Sequence, residues 1–263
     1  MRVLITGANG QLGKALQFSK PIGIELIALS RNDMDLSDHD LCRRLIVEIN
    51  PDWVINTAAY TAVDEAEKNS NVVMSINSDG PAAIAEALAI NGGRMLQIST
   101  DFVFNGLQSH PYLPDQNVDP LSVYGLSKAL GESSVVKILG PLKRINILRT
   151  SWIYGPVGKN FCLTMLRLHA SKAKSGEMLN VVSDQVGCPT SSKTLAITCW
   201  RLLNLVNDGI TIPPILHWTD AGVASWYDFA FAIGDLGVAT GVLEAAALVN
   251  PISTSEFPTL AKR

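Results

Sequence analysis

Tyr124 and Lys128 stand four residues apart in the segment Tyr-Gly-Leu-Ser-Lys. On a helix, that spacing puts both side chains on one face. A free phenol ionises near pH 10, too high for easy proton exchange at neutrality, and a neighbouring ammonium lowers that value. A phenol tuned in this way is a general acid or base. The pair also occurs on many ordinary exposed helices, so its meaning depends on what accompanies it. Upstream, Ser99-Thr100-Asp101 closes an apolar run, Arg94 to Ser99. Thr100 there can hydrogen-bond a substrate carbonyl or the phenol. The competing reading is a turn or helix cap, which the apolar continuation Phe102-Val103-Phe104 disfavours as a helix start.

A second constellation opens the chain. Gly7-Ala8-Asn9-Gly10-Gln11-Leu12-Gly13 follows the apolar run Arg2 to Thr6 and leads into a helix-compatible stretch, about Gly10 to Ser19. Glycine permits positive φ and close backbone approach to a pyrophosphate, and a helix N-terminus offers that anion its unpaired N–H groups. The spacing GxxGxxG departs from the GxGxxG fingerprint, so the motif carries weight only through the strand before it and the helix after it. A bare glycine-rich turn is the alternative. After the next strand, an acid would bind the ribose 2′-OH of NAD, whereas an Arg accommodates the 2′-phosphate of NADP. Ser30-Arg31 stands there instead of an acid. NADP(H) is therefore the preferred cofactor and NAD(H) the alternative, unless Arg31 is merely a solvated loop residue.

These groups need a scaffold. Strands are expected at Arg2 to Thr6, Glu25 to Leu29, Trp53 to Thr57, Arg94 to Ser99 and Arg144 to Thr150. Helices are expected at Asp38 to Asn50, Val72 to Ile90 (stopped by Gly92 and Gly93) and Leu121 to Leu139. Alternating strands and helices imply βαβ units, and near-continuous apolar strands imply a sheet covered on both faces. The fold class is α/β: a doubly wound, Rossmann-like parallel sheet with a smaller C-terminal substrate lobe. The expected division is residues 1–155 for dinucleotide binding and 156–263 for substrate, with later segments partly interleaved into the first sheet.

The chain has 263 residues, 47% hydrophobic and 17% charged, and a net charge of −3. That length supports a full core, and this composition argues against extended disorder. The mildly acidic balance argues against nucleic-acid binding. No apolar stretch is long enough for a membrane span, and the start lacks a secretory leader, so a cytoplasmic location is expected. Cys42, Cys162, Cys188 and Cys199 form no CxxC pair and fit neither a zinc site nor a disulfide framework; reduced thiols are expected.

Together these elements resemble the extended short-chain dehydrogenase/reductase superfamily. TGANGQLG, NTAAYTAVDEAE, STDFVFNG, PLSVYGLSKALGE, LRTSWIYG, SDQVGCPT and FPTLAKR, in order and spacing from Met1 to Arg263, are similar to the RmlD family of dTDP-4-dehydrorhamnose reductases. NTAAYTAVDEAE and RTSWIYG point to this family more narrowly than the rest. The resemblance implies that Gly10, Gln11 and Leu12 meet the pyrophosphate and that Asp35 and Leu36 lie by the adenine. It further implies that Ala59, Tyr60 and Thr61 line the nicotinamide side, and that Tyr124 and Lys128 touch both cofactor and chemistry. Thr100, Asp101 and Trp152 are implied to face a nucleotide sugar. Asp35-Leu36 could instead be a helix cap before Ser37, and Trp152 could be core. His217, Trp218, Trp226 and Tyr227 read as packing of the second lobe, with Ser225 as a helix cap. A homodimer is implied by analogy, with no readable interface. Some relatives carry a metal at that contact, but no motif here transfers it. Family members usually run a few dozen residues further, so the substrate lobe reads as cut short at Arg263 or as continuing in a longer chain.

The implied activity is reduction of the C4 keto group of dTDP-4-dehydro-6-deoxy-L-mannose to dTDP-L-rhamnose by hydride from NAD(P)H, with Tyr124 as proton donor. An epimerase or reductase of another nucleotide sugar is one alternative; dehydration is disfavoured because only Asp101 is available beside Thr100. A non-catalytic NADP-binding regulatory subunit is another. The intact NTAAYTAVDEAE segment and Trp152 favour the enzyme.

Overall fold

In the computed structural model, residues 1–262 are described; Arg263, the last residue of the FPTLAKR segment, lies outside them. The chain opens with β1 (Arg2–Thr6), α1 (Gln11–Phe18), β2 (Glu25–Leu29), α2 (His39–Ile49), β3 (Trp53–Asn56), α3 (Val63–Ala66) and α4 (Ser70–Met74). A π-helical turn, Ser75–Asp79, leads into α5 (Gly80–Asn91) and β4 (Arg94–Thr100). A 3₁₀ turn, Asp101–Val103, precedes α6 (Val123–Leu139) and β5 (Ile145–Thr150). Then come β6 (Ile153–Tyr154), α7 (Phe161–Ser175), β7 (Leu179–Val182), β8 (Val186–Gly187), β9 (Thr190–Ser191), α8 (Ser192–Asn207), β10 (Ile215–His217), β11 (Ala224–Ser225), α9 (Trp226–Ala239) and β12 (Val249–Ile252).

The chain divides into two compact units, Met1–Thr150 with Leu195–Trp218 and Leu260–Arg263, and Ser151–Thr194 with Thr219–Thr259. The first holds a six-stranded parallel sheet in the order β10-β5-β4-β3-β1-β2. From β1 the chain runs outward to β2 and then back to β3, so the strand order reverses between β1 and β3. Ligands of doubly wound sheets sit outside the carboxyl ends of the strands at such a point. One face buries Leu4, Val54, Met95, Ile145 and Ile147 against Cys42 and Ile46 of α2, Ile84 and Leu88 of α5, and Val135 and Leu139 of α6. On the other, Trp53 Nε1 donates to Asn207 at 3.1 Å and Trp200 Nε1 to the Leu16 carbonyl at 3.2 Å, tying α8 to the sheet and to α1. Both faces are covered, which explains strands apolar on both sides. His217, expected among second-lobe packing, lies on β10 of this sheet, paired with Arg149 of β5.

The helix expected across Val72 to Ile90 is broken. Pro81 sits in the first turn of α5, where its missing N–H and its ring forbid a continuous α-helical ladder, and the π turn before it absorbs the mismatch. Elsewhere the local signals act as their chemistry requires. Asp38 caps α2 by accepting from the Leu41 N–H at 2.9 Å, Asn50 ends that helix with φ 47°, and Ser122 caps α6 through the Gly125 N–H at 3.1 Å.

The second unit contains three two-stranded sheets: β6 with β9, β7 with β12, and β8 with β11. Met165, Leu179, Val181, Ala230 and Ile233 form its core. Ser225 and Asp228 build a reciprocal capping box at the start of α9, as the sequence suggested for Ser225. No helix among the described residues is long and apolar enough to cross a membrane.

Candidate active site

The glycine loop is shaped by contacts that exclude side chains. Gly7 has φ +65°, and the Gly10 N–H closes the turn on the Gly7 carbonyl at 2.9 Å. A Cβ on Gly13 would lie 2.3 Å from that same carbonyl oxygen. The first turn of α1 therefore packs directly on the loop, and Gly10 caps the helix with no side-chain bond. Gln11, Leu12 and Gly13 thus begin a helix whose positive end opens directly on the loop. This cradle fits a pyrophosphate.

Its neighbours come from the strands on either side of β1. The Ala8 N–H donates to the Leu29 carbonyl at 3.0 Å, which sets Ser30 and Arg31 beside the loop. The Ser30 hydroxyl is taken by Asp33, at 2.6 Å. Arg31 is 76% exposed, with Nε on Asp35 at 3.0 Å. The other Asp35 oxygen accepts from the N–H and hydroxyl of Ser37, which hold its carboxyl below the usual range together with Arg31, and Leu36 is buried in the core. Asp35 thus closes a turn at Ser37 rather than capping a helix, the cap of α2 being Asp38, and no acid occupies the Ser30 position. On the β3 side, Thr57 donates to the Thr6 carbonyl at 2.7 Å, so Ala59, Tyr60 and Thr61 leave the sheet next to the glycine loop.

At the carboxyl end of β4, Thr100 is the hub. Its hydroxyl donates to Asp101 at 3.0 Å and accepts the Phe102 N–H at 3.2 Å, and it stands near enough to the Tyr124 phenol to favour its ionised form. Thr100 therefore also caps the 3₁₀ turn, contrary to the expectation that no helix starts here; the polar cap outweighs the apolar run. Close approach of α6 makes the contact with the phenol: a Cβ on Gly125 would lie 2.2 Å from the Phe102 carbonyl oxygen. Tyr124 is buried, its ring edge-on to Phe102 at 5.6 Å.

Burial pushes the Tyr124 phenol up to about 12, with Asp101 adding to the rise and Thr100 opposing it. This corrects the expectation of a phenol lowered by its lysine. The Lys128 ammonium donates to the Ile98 carbonyl at 2.8 Å, and its own value is brought down to about 8, again by burial, with Glu132 opposing. Desolvation outweighs the pair's mutual effect. Burial also raises the Asp101 carboxyl to about 6.

Two features were not legible in the sequence. Asn77, in the π turn, accepts the Tyr60 N–H at 2.8 Å and donates to the Tyr60 carbonyl at 3.1 Å and to Ser127 at 3.0 Å, while Ser127 donates to the Tyr124 carbonyl at 2.7 Å. It clamps the loop after β3 to the helix of the Tyr–Lys pair. Its only sequence signal is a polar break in an apolar helical stretch. Second, the hydroxyls of Ser99 and Thr150, buried near the ends of β4 and β5, have no partner among the described residues. Buried orphan hydroxyls fit a polar ligand group.

The structure thus brings together Gly7 to Gly13, Ser30, Arg31, Ala59 to Thr61, Thr100, Asp101, Tyr124 and Lys128, all on one unit at the carboxyl ends of one sheet. Trp152 belongs to the second unit. There its indole stacks on Trp226 with centroids 3.4 Å apart, and Gly187 packs against it.

A doubly wound sheet with a glycine cradle at its switch point and a buried Thr–Tyr–Lys cluster alongside defines a Rossmann-like α/β protein equipped for proton transfer. The model of the RmlD substrate binding domain matches residues 1–263, and the chain belongs to that family. It is 43% identical over 265 residues to a dTDP-4-dehydrorhamnose reductase of Aggregatibacter actinomycetemcomitans, covering 100% of this chain and 88% of that one. A second such reductase, from Sinorhizobium fredii, is 37% identical, with 100% and 86% covered. Among solved structures, the dTDP-4-dehydrorhamnose reductase of Bacillus anthracis in complex with NADP superimposes with a TM-score of 0.89 at 35% identity, covering 100% of this chain and 87% of that one.

Proposed function

We propose that the protein reduces the C4 ketone of dTDP-4-dehydro-6-deoxy-L-mannose to dTDP-L-rhamnose, with NADPH preferred over NADH. The observation that carries the reading is the burial of Thr100, Tyr124 and Lys128 together at the carboxyl end of β4, in a family whose relatives bear the reductase name. A nicotinamide held by the glycine cradle would supply the hydride to C4. Tyr124 supplies the proton to the ketone oxygen. A phenol raised to about 12 is fully protonated at neutral pH, the form a proton donor requires. Thr100 aligns that phenol and presents a second hydroxyl to the carbonyl. Lys128, titrating near 8, is cationic at pH 7 and offsets the negative charge that proton donation leaves on the phenol oxygen. The Gly7–Gly13 cradle holds the pyrophosphate, and Arg31 reads the 2′-phosphate with the guanidinium nitrogens that Asp35 does not take.

Trp152 and Asp101 contact the sugar nucleotide in this reading. Apart from Thr100 and these two contacts, it gives residues 1–155 to the cofactor and 156–263 to substrate, with α8 and β10 serving the first. A non-catalytic binding subunit is not favoured, because the relatives at 37–43% identity are reductases by name. The reading also places the protein in the cytoplasm, where its four free thiols stay reduced, and as a homodimer, which light scattering tests. The deciding assay follows NADPH oxidation by absorbance with dTDP-, UDP- and GDP-linked 4-keto-6-deoxy sugars. Turnover with the dTDP sugar alone is expected; oxidation of NADPH with none of them would refute the reading.

A further inference from the structure

One turn beyond Lys128 on α6 lies a charge pair that the proposed chemistry does not use. Arg149 of β5 binds Glu132 through Nε at 2.9 and 3.2 Å and through Nη2 at 2.7 Å. The two side chains are 4% and 6% exposed. A buried pair is weak evidence for stability, because desolving both charges offsets most of their attraction. Its persistence here asks for another role, and its surroundings suggest one. The other Arg149 nitrogen, Nη1, donates to the Pro114 carbonyl at 3.2 Å and lies 3.4 Å from Nε2 of His217. The guanidinium also stands over the Phe104 ring, 5.1 Å from its centroid, and that ring stacks on Tyr112 at 4.2 Å. Arg149 therefore grips the segment 104–119, which begins three residues after Asp101 and runs on toward α6.

We propose that the Glu132–Arg149 pair is a positioning device for the site: Glu132 supplies the buried countercharge for Lys128, and Arg149 fastens the 104–119 segment to the same sheet end. The inference rests on reading Lys128 as a site residue. Tyr124 and Glu132 flank that lysine on its own helix; of the elements packed on α6, the turn after β4 carries Asp101 and β5 carries Arg149, with His217 of β10 beside the guanidinium. Glu132 follows Lys128 by four residues, one turn along the same face of α6, and both are buried there, so its charge favours the cation against the burial that disfavours it. Arg149 in turn keeps the His217 imidazole toward its neutral form, after burial, so the guanidinium beside it stays the cation of the cluster.

The test is a titration of Lys128 by carbon NMR in protein labelled at lysine Cε, which needs no turnover. The wild-type midpoint is expected near 8. In Glu132→Gln it falls by at least about one unit, because the attraction of the carboxylate for the buried ammonium is lost. The alkaline limb of kcat/KM moves down with it, whereas a merely structural role lowers kcat and leaves the limb in place. A folded Glu132→Gln protein with an unmoved midpoint overturns the proposal. Where that variant does not fold, Glu132→Gln with Arg149→Met decides, since it buries no lone charge. Amide exchange across residues 104–119 is then expected to quicken at least about tenfold from loss of the Pro114 anchor, and unchanged exchange there overturns it. Absence of turnover in the wild type would sink the reductase reading while leaving both readings of the pair interpretable.

Discussion

Replacing Gly13 by alanine perturbs the cofactor cradle without touching any group that does chemistry. The new methyl would stand 2.3 Å from the Gly7 carbonyl oxygen and 2.9 Å from the Ala8 Cα, where ordinary contact begins at 3.4 Å. Both neighbours are backbone, so relief requires the loop to move by about 1 Å. Gly7 cannot yield freely: its φ is +65°, and a built Cβ there meets the Ala58 backbone at 2.9 Å. Such overpacking costs about 1–3 kcal/mol of stability. A displacement of that size also removes at least one charge-assisted N–H bond to the pyrophosphate, worth about 1.5–3 kcal/mol, or roughly 10–150-fold in affinity. The assay is titration of NADPH fluorescence together with thermal unfolding. Gly10→Ala, with its methyl at 3.2 Å from the Gly7 oxygen, is expected to lose less. Gly176→Ala, at φ +72° with nothing within 4 Å, should lose stability alone. A folded Gly13→Ala protein that binds NADPH as tightly as wild type would refute the cradle.

Thr100→Val removes the hydroxyl beside the phenol while keeping the shape; turnover should fall about 10- to 100-fold with cofactor affinity unchanged, read by steady-state kinetics. Arg31→Ala should weaken NADPH by about tenfold or more and NADH little, and equal losses would make Arg31 a bystander. kcat/KM should decline as pH rises past about 8, where Lys128 loses its charge. Asp101, raised from 3.8 to about 6, favours folding fully below its unfolded value and loses that contribution as pH climbs through 6. Asp101→Asn should therefore flatten the stability profile between about pH 4 and 6, by about 2 kcal/mol in denaturant unfolding.

Much of this architecture is written in local pattern. The strands at Arg2–Thr6 and Glu25–Leu29 and the caps at Asp38, Asn50 and Ser122 follow from short-range chemistry, and the structure places them where that chemistry puts them. The π turn at Ser75–Asp79 follows from Pro81, but its consequence, Asn77 aimed at Tyr60 and Ser127, is a tertiary contact that no periodicity encodes. The same holds for the ionisation of the Tyr–Lys pair. Spacing predicts that the two groups tune each other, but burial depends on how closely α6 approaches Phe102, and it reverses the sign for the phenol. Glu132 and Arg149 lie 17 positions apart and meet only because α6 packs on β5.

The claim at the centre is that the Tyr124 phenol delivers the proton. Tyr124→Phe keeps the ring against Phe102 and removes one oxygen. Single-turnover reduction of the dTDP keto sugar by preloaded NADPH, followed by absorbance, measures the step itself. The account predicts unchanged NADPH affinity and a reduction rate at least about 10²-fold below wild type; a near-normal rate in the folded variant would contradict it.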